Sequence, residues 1–267
     1  MLWDTHMHTH FSEDSNADIC EMINAAALAG VDGICFTDHL DLLTTDIAAD
    51  KIPLDLPAYF TEMNRLQTKF HDKLPIHIGI EIGLQPFLKK QLPEITGGYP
   101  FDFVIGSSHL VNGEDPYYPE YFQGRVEQEA YREYFESILE NLSVFDCFDV
   151  YGHLDYIVRY GPNKNQYYSY AEFSDVLEEI LRTLIAKGKG IEINTGGFKY
   201  GLGHPNPTED ILKRYRELGG EIITIGADAH KPEHVAYDFP KVPQILTGCG
   251  FRYYTVFKER KPVFYPL

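Results

Sequence analysis

IHIGIEIG, residues 76–83, alternates four isoleucines with His77, Gly79, Glu81 and Gly83. A period of two marks a strand whose side chains point to opposite faces. The isoleucine face suits packing under helices, whereas the other carries a carboxylate between two glycines. Glycines leave open the volume that bulky side chains would fill. A bridging carboxylate is the device expected where two cations are held close together. An inward acid paired with an arginine is the plainer alternative. What the rest of the chain brings to the same place decides between them.

Six further β-type runs occur: MLWDTH, GVDGICFTDH, FDFVIGSSH, FDVYGHLD, GIEINTGG and EIITIGADAH. Helical patterns alternate with them, over residues 16–29, 57–73, 85–93, 122–144, 169–187 and 206–218. Ser169 with Glu172 reads as a capping box, and Asn206-Pro207 with Glu209 as a helix start that Gly219 would stop. RYYTVFKERKPVFYPL reads as one or two more short strands. Alternating βα units predict a parallel sheet. The seven strand candidates end in His6, Asp38-His39, Glu81, His109, His153, Asn194 and Asp228. In parallel α/β barrels the site is built at these C-terminal ends. Eight strands are usual, so seven predict an incomplete or distorted barrel, with an open twisted sheet as the alternative. At 267 residues, a single domain over 1–267 is expected.

With 23 basic against 40 acidic residues, the formal charge is -17. That argues against a nucleic-acid surface, which needs positive charge opposite phosphates. A phosphorylated small molecule is still compatible, because bound cations reverse the local field. No apolar run approaches the roughly 20 residues that span a bilayer, and no signal-peptide pattern opens the chain. No membrane partner is expected, and the cytoplasm is the expected location. Cys20, Cys35, Cys147 and Cys249 are scattered, without a C-x-x-C pair, and read as buried free thiols.

DTHMHTHFSED, residues 4–14, packs three histidines and three acids into eleven residues. His6 and His8 share a strand face and can grip one ion, although a solvated histidine pair is an equal reading of this stretch alone. FTDH adds His39, GSSH adds His109, YGHLD adds His153, and GADAH adds Asp228 and His230. Asp14 lies in a loop and either closes the same site or caps the helix that follows. Asp4 is a candidate acceptor for orienting an imidazole. With Glu81, the candidates exceed the three or four protein ligands of a single catalytic zinc. Two or three divalent ions are therefore implied, and nitrogen and oxygen donors without sulfur fit Zn, Mn or Fe. Arg159 matches phosphate oxygens with paired hydrogen bonds, unless it forms a surface salt bridge. The loop 112–124, NGEDPYYPEYFQG, offers aromatics and acids for selectivity, with Asn194 and Lys199 as weaker candidates.

These motifs, in this order along nearly the whole chain, resemble the polymerase-and-histidinol-phosphatase (PHP) superfamily of metal-dependent phosphoesterases. GHLDYIVRYG and EINTGGFKYGLGHPNPTEDIL are similar to its stand-alone histidinol-phosphate phosphatase branch. The resemblance implies a distorted (β/α)7 TIM-like barrel with a trinuclear centre. One ion would take His6, His8, Glu81 and Asp228, and a second would share Glu81 and add His109 and His153. A third would take Asp14, His39 and His230, with Glu13 competing for the loop position. The implied reaction converts L-histidinol phosphate and water to L-histidinol and phosphate, by attack of a metal-bridging hydroxide. Glu81, Asp14 and Arg159 would be catalytic, with Arg159, His39 and His230 against the substrate. Another small phosphomonoester, a nucleotide end, or a catalytically inert metal-binding module are the alternatives.

Overall fold

The structure, a computed structural model, describes residues 2–49 and 52–267. In chain order its elements are β1 (Trp3–Asp4), α1 (Ile19–Ala29), β2 (Gly33–Phe36), β3 (His39–Leu40), α2 (Thr44–Ala49), α3 (Leu56–Phe70) and β4 (Ile76–Gly83). There follow α4 (Gln91–Gly98), β5 (Phe103–Ser107), α5 (Glu127–Val144), β6 (Val150–Tyr151), α6 (Ser174–Ala186), β7 (Gly190–Asn194) and α7 (Gly196–Lys199). The last are α8 (Glu209–Glu217), β8 (Ile223–Gly226), α9 (Val242–Gly248), β9 (Tyr253–Lys258) and β10 (Lys261–Pro266).

All seven expected strands form, with the second split in two. β2 and β3 both pair in parallel with β4, Ile34 opposite Ile76 and His39 opposite Glu81. Thr37, in the break, donates its N–H to Met7 O instead. The ladder continues through β5, β6 and β7 to β8. It then returns to the start, because Thr5 N donates to Ile225 O, Asp228 N donates to His6 O, and Met7 bridges Ala229. This gives the expected nearly closed, distorted barrel of seven parallel strands. Closure makes the first and last strands of the barrel neighbours, which is what brings His6 and His8 beside Asp228 and His230.

Ile76, Ile78, Ile80 and Ile82 join the main core beneath the helices. Inside the barrel, Cys35, Phe103, Ile105 and Val150 pack with Phe257 of β9. The antiparallel β9–β10 hairpin thus stops the end opposite the site, with the Phe103 and Phe257 rings 5.2 Å apart. His77 belongs there, its Nδ1 bonded to Phe257 O at 2.7 Å.

Three helix starts differ from expectation. α1 is capped by Asp18, whose carboxylate accepts from Glu21 N at 3.0 Å, so Asp14 is not its cap. Ser169 and Glu172 close a turn ahead of α6 rather than its first residues, with Glu172 N donating to Ser169 Oγ at 3.3 Å. α8 begins at Glu209 with Thr208 as cap residue, and Asn206, joined to Pro207 by a cis peptide, turns its side chain inward. The segment 85–93 is a 3-10 turn, Pro86–Leu88, leading into the longer α4. Among the described residues no helix is long and apolar enough to cross a membrane.

Candidate metal centre

The C-terminal rim is organised around the buried Glu81. Its Oε1 lies 2.9 Å from His153 Nε2 and 3.3 Å from His109 Nε2, and accepts from Ser107 Oγ at 2.6 Å. Its Oε2 lies 3.0 Å from His6 Nε2, 3.1 Å from His39 Nδ1 and 3.5 Å from His8 Nε2. Asp228 Oδ1 is 3.3 Å from His8 Nε2 and 3.7 Å from His6 Nε2. At the mouth, Asp14 Oδ2 is 3.0 Å from His230 Nε2 and 3.6 Å from His39 Nε2. All nine metal-ligand candidates therefore meet in one cluster. Glu13 and Asp14 are both exposed on the cavity wall, and it is Asp14 that pairs with His230 and His39.

Hydrogen bonding shows which imidazole nitrogens are available. The Ser12 hydroxyl gives its one proton to Asp38 Oδ1 at 2.7 Å and accepts from His39 N at 3.0 Å. It must therefore accept from His8 Nδ1 at 3.2 Å as well, which leaves His8 Nε2 as a bare lone pair. That atom is buried without a hydrogen-bond partner, facing carboxylate oxygens. His6 Nδ1 is likewise taken by Glu192 Oε1 at 2.7 Å and His109 Nδ1 by Asp41 Oδ1 at 2.9 Å, so both turn Nε2 to Glu81. Lone pairs aimed at carboxylates repel unless a proton or a cation lies between them. This donor chemistry fits divalent metal ions, and the protein holds suitable groupings in His6–His8–Glu81 and Glu81–His109–His153.

The electrostatics differ from ring to ring: against burial, Glu192 and Glu81 hold His6, and Asp41 and Glu81 hold His109, well above the ordinary imidazole value, so a proton takes a cation's place beside Glu81. Burial works against a charge on Glu81, yet His6, His109 and His39 hold its carboxyl well below the usual range. Asp228 is also buried, and Arg159 foremost, then His6, hold it low. Burial, with His230 and His39 alongside, pushes the His8 imidazole well below its ordinary value, favouring a neutral ligand. The site thus keeps anionic oxygens and at least one neutral imidazole ready.

Supporting residues were only partly foreseen. Asp38, an expected strand-end acid, accepts from Thr9 N at 2.6 Å and from Ser12, and so pins the His8 loop. Asp4 does not orient an imidazole: its oxygens accept from the backbone N–H of Ala227 and Ala236. That role falls to Glu192 and Asp41, both missed. Each sat in a readable pattern, since Glu192 shares the inward parity of Asn194 in GIEIN, and Asp41 that of His39 in HLD. The glycines beside Glu81 also serve differently from expectation. A Cβ on Gly83 would strike the Asp41 carboxylate, and one on Gly79 would meet Cys35 Sγ at 2.8 Å. They make room for neighbouring side chains rather than for ions.

Arg159 is buried, which excludes a surface salt bridge. Its Nη1 donates to Asp228 Oδ2 at 2.7 Å, and the guanidinium lies between the rings of Tyr156 and Tyr200, 5.4 and 5.0 Å away. It lines a cavity of about 860 Å³ with Asp14, His39, Asp115, Tyr117 and Lys199. Asn194 binds Arg159, and Lys199 Nζ donates to Asp228 O at 3.0 Å. His234 also borders this cavity, whereas His10 and His71 are exposed and His204 is bonded to Asn165.

A barrel with a carboxylate-centred ring of imidazoles at its strand ends defines a metal-dependent hydrolase scaffold. The chain belongs to the PHP domain family, whose model matches residues 4–196. It is 35% identical, over 97% of its length and 95% of the relative's, to the histidinol-phosphatase of Lactococcus lactis. It is 33% identical to a probable histidinol-phosphatase of Clostridium acetobutylicum, covering 98% of each chain. A crystal structure of histidinol phosphate phosphatase from Lactococcus lactis, complexed with zinc, L-histidinol and phosphate, superposes with a TM-score of 0.89 at 34% identity, covering 98% of both chains.

Proposed function

We infer that this chain is a metal-dependent phosphomonoesterase that hydrolyses L-histidinol phosphate to L-histidinol and phosphate. The observation that carries the reading is Glu81, whose two oxygens face separate imidazole groups beside a buried arginine. Full-length similarity to histidinol-phosphatases supplies the substrate.

The proposed ligand sets are His6, His8, Glu81 and Asp228 for one ion, Glu81, His109 and His153 for a second, and Asp14, His39 and His230 for a third. Zinc, manganese and iron all suit these donors. When bound, such ions supply Lewis acidity and make water a competent nucleophile near neutral pH. The protein's own part is orientation and charge. Arg159 is proposed to bind two phosphoryl oxygens through its free N–H groups and to stabilise the charge that grows on them. Asp14, His39 and His230, nearest the mouth, are the groups proposed to contact the ester and its leaving alcohol. The Glu81 carboxylate holds the two inner ligand sets at a fixed spacing. A cytoplasmic location and a single domain over residues 1–267 belong to the same proposal. β1 and β8, from opposite ends of the chain, share one sheet, which supports the latter.

The competing substrates are other small phosphomonoesters and nucleotide ends. The formal charge of -17 disfavours a nucleic acid. Phosphate release measured across histidinol phosphate, nucleoside monophosphates and single-stranded DNA tests the assignment, with the highest kcat/KM expected for histidinol phosphate. Preference for a nucleotide or DNA would overturn it, and metal binding without turnover on any ester would favour an inert module.

A further inference from the structure

Arg159 is held from behind by two asparagines whose amides are themselves fixed. Its Nε donates to Asn206 Oδ1 at 2.8 Å and its Nη2 to Asn194 Oδ1 at 3.0 Å. Asn206 Nδ2 donates in turn to Asp155 Oδ1 at 2.6 Å, and Asn194 Nδ2 to Glu192 Oε2 at 3.0 Å. All six side chains of this chain of bonds, from Arg159 through Asp228, are buried. The far ends are anchored as well. Asp155 Oδ2 accepts from Tyr168 Oη at 2.8 Å and Thr208 N at 3.1 Å, and Glu192 accepts from His6 Nδ1 and His153 N.

Each amide has one satisfied orientation. A flipped Asn206 would set its NH2 against the arginine N–H and its oxygen against the Asp155 carboxylate, mismatching both contacts. Asn194 flipped would do the same between Arg159 and Glu192, and would also lose the bond from Gly196 N at 2.9 Å. The buried carboxylates therefore act on Arg159 at one remove, by fixing which amide atom faces it. A carboxylate placed directly against Nε and Nη2 would form a bidentate ion pair, with an ionised acceptor as well as an ionised donor. Neutral amide oxygens orient the guanidinium without adding a second anion to the Asp228 carboxylate already on Nη1.

We propose that Asn206 and Asn194 are positioning residues that aim Arg159 at the phosphoryl group through neutral amide oxygens, with Asp155 and Glu192 locking those amides. The inference rests on Arg159 as the phosphate-binding group. It also gives a reason for Asn206 to leave the helix-cap position that its local sequence favours. Two N–H bonds of the guanidinium, one on each Nη, are not used by these partners and are the ones offered to phosphate.

The test is calorimetric binding of inorganic phosphate to the metal-loaded enzyme, together with KM, kcat and metal content, for Asp155→Asn, Asn206→Asp and Arg159→Lys. An Asn at 155 must point its NH2 at either Asn206 or Thr208 N, so one donor meets a donor in each orientation. Asn206→Asp turns the neutral support into a competing anion. Both variants are expected to weaken phosphate binding by about tenfold and raise KM in parallel, as for lost ground-state binding, with metal content unchanged. In the Arg159→Lys background neither should weaken it further, because an ammonium cannot use both amides. Equal losses in the Arg and Lys backgrounds would overturn the proposal, as would lower thermal stability with unchanged phosphate affinity. If Arg159→Lys alone leaves phosphate binding intact, the phosphate role of Arg159 fails, and this inference with it. Should Asp155→Asn not fold, Asn206→Asp in the wild-type and Arg159→Lys backgrounds decides the question.

Discussion

Glu81→Gln keeps the side-chain volume and removes the feature on which both inner ligand sets depend. The wild-type oxygens divide the work, Oε1 toward His153 and His109, Oε2 toward His6, His39 and His8. An amide retains one oxygen, so whichever way it turns, an NH2 faces one of the imidazole groups and cannot bind a cation there. The negative charge shared by both groups is lost as well. Removing an outer partner of a metal ligand already costs about 10–100-fold in affinity or activity. Removing a ligand oxygen at one set and the charge at the other should cost at least the product of two such losses at the low to middle range. That is about a thousandfold in kcat/KM, or about 4 kcal/mol of transition-state stabilisation. The assay is phosphate release from histidinol phosphate with Zn, Mn or Fe supplied, paired with metal content per chain after dialysis. Circular dichroism of the metal-free variant separates ligand loss from unfolding. If it does unfold, Glu81→Asp retains the charge on a side chain too short to reach both sets. Near-normal turnover with full metal content in the glutamine variant would refute the bridging role.

Chelation followed by dialysis should abolish phosphate release, and readdition of a divalent ion should restore it; turnover that survives verified metal removal would contradict the mechanism. Glu192→Gln takes an acceptor from His6 Nδ1, bonded at 2.7 Å, and should lower metal affinity by about 10–100-fold. Titration with zinc reads this directly, and excess metal should recover much of the activity. Gly226→Ala places a Cβ into Glu192 Oε1 and His6 Cβ, between two rigid neighbours. A loss of about 1–3 kcal/mol in unfolding free energy is expected, measured by denaturant titration, together with weaker metal retention.

Much of the barrel and the site could be read from residue parity and position, because both are consequences of strand geometry. Isoleucines in step at 76, 78, 80 and 82 belong to the buried outer face, and the polar residues at strand ends fall on one rim. Local pattern failed where distant partners decide. Asp4 shares the inward parity of His6, but the loops carrying Ala227 and Ala236 claim its oxygens, and they lie at the other end of the chain. Asn206 has the right neighbours for a helix cap, yet the buried Arg159 and Asp155 need its amide more. In the loop holding Glu13 and Asp14, alternation has no meaning. There Asp18 takes the cap and Asp14 meets His230 and His39. Glu192 and Asp41 share the parity that reveals Glu81, but parity alone does not say that an acid two places from Asn194 or His39 reaches an imidazole from another strand.

The overall acidity and the phosphate chemistry become compatible once distance is considered. At physiological ionic strength charges are screened over about 8 Å, so the bulk of the -17 acts weakly on an ester already inside the mouth. What matters there is local, and without cations it is unfavourable. Glu13, Asp14, Asp41, Glu81, Asp115 and Asp228 crowd a rim where Arg159, Lys199 and Lys231 supply the fixed positive charge, and Arg159 is already bonded to Asp228. Divalent ions bound among these oxygens would reverse the sign of that field and also relieve Asp228 of its dependence on Arg159. Phosphate affinity should therefore follow metal occupancy, with calorimetric binding of inorganic phosphate falling steeply in chelated protein. If metal-free protein binds phosphate as tightly as the loaded form, the arginine alone suffices and the cation-reversed pocket is wrong.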